Sequence, residues 1–112
     1  MIQPEHYGKL QRCGMPTLKQ LRVSEWSPEF EELQRNRLIM GYYRYGPFGV
    51  QNRTTEEVVG AIIKRSKEYL LTGNDELMVD VGNFAMKEFA VGTHTKKHFE
   101  SVDDGEHVGD EP

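Results

Sequence analysis

The sequence predicts an all-α fold, a small helical bundle in which a helical hairpin (residues 55–71 and 75–91) packs on a preceding helix (28–45), with an irregular N-terminal arm and an acidic C-terminal tail. Three observations predict it. Helix start and stop signals bracket each of the three segments. Apolar residues within them recur at three- and four-residue spacing, the period of one helix face. No stretch alternates strongly between apolar and polar residues as a half-buried strand does, and there is no internal repeat.

In the first 27 residues Pro4, Gly8, Gly14 and Pro16 break any long element, leaving room for a short helical turn or two over residues 16–21. Ser27-Pro28-Glu29 then starts the first main helix. Serine caps free backbone N–H groups, proline tolerates the first helical position, and glutamate complements the positive end of the helix dipole. Gly46-Pro47-Phe48-Gly49 stops that helix, because glycine accepts a left-handed cap and proline cannot continue the hydrogen-bond ladder. Thr54 and Glu57 have capping-box spacing, which starts the second helix near Thr55. Thr72-Gly73-Asn74 ends it, and Asn74 or Asp75 caps the third, which reads to Val91 before Gly92. So short a connection makes the second and third helices antiparallel neighbours.

At 112 residues the chain has the length of one ordinary domain, here a helical domain over residues 1–99 and a tail over 100–112. No run reaches the roughly 18 apolar residues of a membrane span, and the first ten residues lack the apolar stretch of a signal peptide. A lone cysteine, Cys13, forms no internal disulfide and supplies no thiolate cluster for zinc. A cytoplasmic location is the expectation. The net charge of -4 is unevenly distributed, since the tail holds six acids (Glu100, Asp103, Asp104, Glu106, Asp110, Glu111) and no Lys or Arg. Without it, 14 bases face 12 acids. The tail reads as a solvating end or as a ligand for a basic surface.

Helical periodicity separates surface charge from charge that needs a reason. On the second helix Val58, Val59, Ile62, Ile63, Tyr69 and Leu70 fill one arc, and Ser66 inside it is expected to bond the preceding turn. The third helix is apolar around most of its circumference (Leu77, Met78, Val79, Val81, Phe84, Ala85, Met86, Phe89), as expected of the centre of a bundle or of a homo-oligomer. Its polar strip carries Glu76, Asp80, Asn83 and Lys87, while Glu88 projects into the apolar arc, where a carboxylate needs a cation, a metal, a proton or an outward bend to water. On the first helix Leu33, Ile39, Met40 and Tyr43 define an apolar arc that includes Asn36, with Glu32 at its edge. Such polar residues fix packing geometry in many helix interfaces. The functional alternative is that Glu32, Asn36, Glu76, Asp80 and Asn83 converge on a cation or a phosphate, as carboxylates on facing helices do when they hold Mg2+.

Tyr42-Tyr43-Arg44-Tyr45, followed by Phe48 and Arg53, gathers aromatics and guanidinium groups at one helix end. Aromatics stack on a base and arginine forks onto phosphate, so Tyr42, Arg44 and Tyr45 are candidate binding residues, although the same tyrosines would also serve a core. His94 and His98 would share a face if the chain were helical there, with Asp103, Asp104 and His107 as further possible metal ligands.

The stretch from Arg37 to Gly46, the turn at Thr72-Gly73-Asn74, and ELMVDVGNFAMKEF at residues 76–89 resemble small proteins of phages and integrated mobile elements. More distantly they are similar to the all-α nucleoside triphosphate pyrophosphohydrolases, the MazG-like and phage dATP/dGTP diphosphohydrolase group. The resemblance covers about half the chain. It implies a helical oligomer that cleaves between the α and β phosphates with Mg2+ held by helix carboxylates. Glu31 and Glu32 would stand for the first acidic pair and Glu76 with Asp80 for the second. The family spaces its second pair as ExxD, whereas Glu76 and Asp80 are four apart, and Arg35 stands where the first pair has its further acid. A fold of this kind can persist without the chemistry.

Two functions follow as expectations. In the first, Glu32, Glu76 and Asp80 bind Mg2+, Arg44 steadies a nucleotide phosphate and a metal-activated water attacks, or the same site binds nucleotide without turnover. In the second, a non-catalytic phage or mobile-element protein binds a host protein complex through its aromatic-arginine end or its acidic tail.

Overall fold

The computed structural model describes residues 14–47 and 52–102. Among them are four helices, α1 (Leu18–Ser24), α2 (Pro28–Tyr45), α3 (Thr55–Thr72) and α4 (Asp75–Val91), and no strand. Cys13, Phe48, Asp103, Asp104 and His107 lie outside the described residues.

Each helix starts where local chemistry dictates. The Ser27 hydroxyl accepts the Phe30 N–H at 3.1 Å with Pro28 at the first position, Thr54 accepts from Glu57 at 3.1 Å, and Asn74 accepts from Glu76 at 3.1 Å. The described part of the arm holds the short helix for which the sequence left room. Thr17 and Gln20 form a reciprocal capping box, which satisfies two backbone donors and starts α1. Gly73 ends α3 in the left-handed region at φ 67°, open to glycine at no steric cost. At the end of α4, Lys97 reaches back and its ammonium donates to the Glu88 and Phe89 carbonyls at 2.8 and 2.9 Å, the first of which also accepts the Gly92 N–H at 2.9 Å.

α4 is the central helix, packed on α3 through the hairpin and on α2 from another side. On α2 the inward stripe is Phe30, Gln34, Arg37, Leu38 and Gly41, spaced as one helix face. The arc of Leu33, Ile39, Met40 and Tyr43, expected to face the bundle, is exposed instead, with Tyr43 at 83 %. Close approach explains the choice of face: a Cβ on Gly82 of α4 would lie 3.0 Å from Gln34 Nε2 and 3.1 Å from the Phe30 ring. The glycine lets α2 dock there. Only Val58 and Val79, 2 % and 3 % exposed, are buried hydrophobic residues among those described.

The polar residues that stood out in sequence have partners of ordinary kinds. Glu88 accepts the Thr55 hydroxyl at 2.7 Å, which joins the end of α4 to the start of α3 and sets a carboxylate at a positive helix terminus. Ser66 donates to the Ile62 carbonyl at 2.8 Å, as expected. Residues 92–102 are not helical, so His94 and His98 share no helix face. Both rings are exposed and engage the backbone of Lys96.

Candidate functional site

The polar strip of α4, Glu76, Asp80, Asn83 and Lys87, recurs at intervals of four, three and four residues and so forms one line along the helix. Glu76 at its start is exposed, and from Asp80 onward the line faces inward. Asn83 and Lys87 are 9 % and 6 % exposed, on the same side as Val79. The C-terminal half of α2 lies opposite, and between them opens a cleft of about 320 Å3 to which Arg65 of α3 and Arg53, just before α3, also contribute.

Arg37 is the first tie across it. Its Nε and Nη2 donate to the two Asp80 carboxylate oxygens at 3.2 and 3.4 Å, and its Nη1 lies 3.2 Å from Glu76 Oε1. The fork matches the planar carboxylate and holds both atoms of the pair in register. The Asp80 hydrogen bond outweighs burial and holds the Arg37 guanidinium above its ordinary value, so it stays charged. Arg65 Nε approaches the same carboxylate at 3.6 Å, and its guanidinium lies 4.6 Å from the centre of the Phe84 ring. Arg53 lies 5.8 Å from that ring.

Deeper in the cleft Asn83 donates from Nδ2 to the Gln34 carbonyl at 3.1 Å, and its Oδ1 has no hydrogen-bond partner among the described residues. Burial, and secondarily the nearby Arg53, push the Lys87 ammonium below the ordinary lysine value. Among the described residues Arg37, Arg44, Arg53, Arg65 and Lys87 line the cleft with one carboxylate, Asp80, and Tyr42, Tyr45 and Phe84 give it aromatic surface.

No family model, curated protein or solved structure matches this chain. Its chemistry is therefore read from geometry alone.

The structure brings together Asp80 and Asn83 of α4 with Tyr42, Arg44 and Tyr45 of α2 on the cleft wall, with Glu76 tied to Arg37 beside them. It does not bring Glu32 or Asn36 there. Both are exposed on α2, outside the inward stripe. The expected metal set of Glu32, Glu76 and Asp80 is thus not assembled, and no group of three or more His, Cys, Asp or Glu side chains able to hold a metal occurs among the described residues. Glu76 and Asp80 do converge, but on guanidinium groups where Mg2+ would need a free carboxylate oxygen.

Sequence reasoning passed over Arg37, Arg65 and Phe84 as site residues. Arg37 had a legible signal: it lies seven residues after Phe30 and four before Gly41, on a single stripe. For Arg65 no signal was available, because its partner Asp80 belongs to the neighbouring helix.

Proposed function

We propose that this chain binds a small phosphate-bearing ligand, a mononucleotide, in the cleft between α2 and α4, without hydrolysing it. The observation that carries the reading is the charge of the cleft wall: among the described residues one carboxylate, Asp80, lines it and is held by Arg37 and Arg65, while Arg44 and Arg53 add further positive charge. Arginine forks suit phosphate oxygens, and the exposed Tyr42 and Tyr45 offer faces on which a base stacks. A volume of about 320 Å3 lies at the small end of the range for small-molecule sites. The negative end of the α2 dipole opposes an anion here, but its effect of roughly 0.3–1 kcal/mol is small beside several fixed positive charges.

Calorimetric titration tests this with nucleosides, nucleoside monophosphates and triphosphates, each with and without Mg2+. Nucleotides are expected to bind and nucleosides to bind at least about tenfold more weakly, one charge-assisted phosphate contact contributing roughly 1.5–3 kcal/mol. R53A and R44A are each expected to weaken nucleotide binding about tenfold without loss of helical signal. Equal affinity for nucleosides would refute the phosphate reading, and Mg2+-dependent release of pyrophosphate would refute binding without turnover.

The pH dependence follows from Lys87, which the cleft surrounds with Arg37, Arg44, Arg53, Arg65, Asp80, Tyr42 and Tyr45. Its charged form is disfavoured by burial and then by Arg53, so it gives up its proton more readily than an ordinary lysine. Affinity for phosphate is expected to fall across that step as pH rises, and K87M abolishes the step. The arginines keep their charge, so binding weakens without vanishing.

A second reading concerns assembly, and the exposed apolar stripes favour it. α2 presents Leu33, Ile39, Met40 and Tyr43, and α3 presents Val59, Ile63 and Leu70, with Ser66 completing an i, i+4, i+7, i+11 row on α3. Two buried valines are a small core for a chain this long. The partner available whenever the chain folds is a second copy, and a stable interface buries roughly 800 Å2 per partner. Sedimentation is expected to give about twice the 12.9 kDa chain mass, and the double variant I39E/I63E is expected to remain monomeric. A monomeric wild type at tens of micromolar would assign those stripes to a different protein.

A further inference from the structure

The acidic C-terminal segment and the cationic cleft have opposite charge and lie within reach of one another. Residues 103–112 carry Asp103, Asp104, Glu106, Asp110 and Glu111 and no Lys or Arg. Among the described residues the cleft is lined by Arg37, Arg44, Arg53 and Arg65 with one carboxylate, Asp80. The chain leading to the segment is anchored beside the cleft-bearing half of α4. Lys97 is held on the Glu88 and Phe89 carbonyls, and the Phe99 ring packs edge-on against Phe89 at 6.4 Å between centres. Phe89 lies two residues beyond Lys87, and a helix is about 10 Å across, so the cleft is roughly a helix diameter from the Phe99 anchor. From that anchor, Glu106 and Asp110 span up to roughly 23 and 36 Å of extended chain. Those contour lengths exceed the helix diameter that separates the anchor from the cleft.

We propose that residues 103–112 dock in the α2–α4 cleft of their own chain and compete there with its phosphate-bearing ligand. Carboxylates are accepted by the same guanidinium forks as phosphate, though singly charged and less densely so. Tethering supplies an effective concentration of roughly millimolar, which makes weak carboxylate contacts effective while a tighter phosphate ligand still displaces them. The proposal uses the cleft described above but does not depend on the ligand's being a nucleotide.

Two measurements on the full-length chain test it. In the first, a nitroxide is attached at Asp110→Cys in a Cys13→Ser background, and paramagnetic broadening is read at the Asn83 side-chain amide and at the arginine Nε–H signals. Broadening at the cleft in a dilute sample, lost in about 0.5 M salt as screening shortens to a few ångströms, is the expected result. No broadening there overturns the proposal whether or not phosphate binds. Broadening confined to Lys96 and Lys97, or present only when labelled and unlabelled chains are mixed, also overturns docking within one chain. In the second, D103N/D104N/E106Q/D110N/E111Q is titrated with inorganic pyrophosphate. Affinity is expected to rise about tenfold over wild type, the factor for a segment at roughly millimolar effective concentration competing for a site it binds at roughly 0.1 mM. Unchanged affinity with measurable binding overturns the competition and leaves the cleft's anion reading standing. If neither chain binds pyrophosphate, the ligand reading fails, and the spin-label result alone decides whether the segment docks.

Discussion

Replacing Arg37 with alanine is expected to lower the free energy of unfolding by about 2–3 kcal/mol, a large share of a total of roughly 5–15. The guanidinium joins α2 to α4 through three contacts of 3.2–3.4 Å, two to Asp80 and one to Glu76. Asp80 is only 17 % exposed at its side chain, so removing the fork leaves a largely desolvated carboxylate with Arg65 at 3.6 Å as its remaining cation. A fully buried pair broken this way costs about 3–5 kcal/mol, and the partial exposure of Arg37 and Glu76 reduces that. Lysine restores the charge without the fork and is expected to recover less than half of the loss. Urea denaturation of the three proteins measures both values. Equal stability of R37A and wild type would mean that Arg65 alone neutralises Asp80.

Val79→Asp is expected to lower the free energy of unfolding by about 4 kcal/mol or more, the larger part of a stability at the low end of roughly 5–15, seen as a steep drop in the melting point followed by circular dichroism. Val79, 3 % exposed, sits on α4 where that helix faces its neighbours, and it is one of two buried hydrophobic residues among those described. A carboxylate there is desolvated without a counterion, because Arg37 and Arg65 are already engaged by Asp80 on the next residue. Such a burial costs about 4 kcal/mol or more. Val79→Ala removes only two methylene equivalents and is expected to cost about 1.5 kcal/mol. A folded V79D with a V79A-like melting point would show that the centre of the bundle admits water.

How much of the site could be read in advance depended on whether its cause was local. Glu76, Asp80 and Asn83 stood out as the polar strip of an otherwise apolar helix and were expected, with Glu32 and Asn36, to converge on a cation or a phosphate. The nature of their partners did not follow. A pair of carboxylates on a helix fits Mg2+ and arginine equally well from its own sequence, and the choice rests with Arg37, 43 residues away. On α2 a helical wheel has two apolar stripes to choose from, and the broader one, through Leu33 and Met40, lies outside. The absence of a side chain at Gly82 decided for the other, a property of α4 invisible from α2.

The sequence by itself determined where the helices of this protein begin and end. Capping oxygens at Ser27, Thr54 and Asn74 and the left-handed glycine at Gly73 satisfy backbone groups within a few residues, so the information lies where the structure forms. Only the tertiary structure decided which faces meet and what sign of charge the cleft presents. Those depend on side chains brought together from α2, α3 and α4, where fitting a guanidinium between two carboxylates and seating Lys87 beneath them turned an acidic line of residues into a cationic cleft.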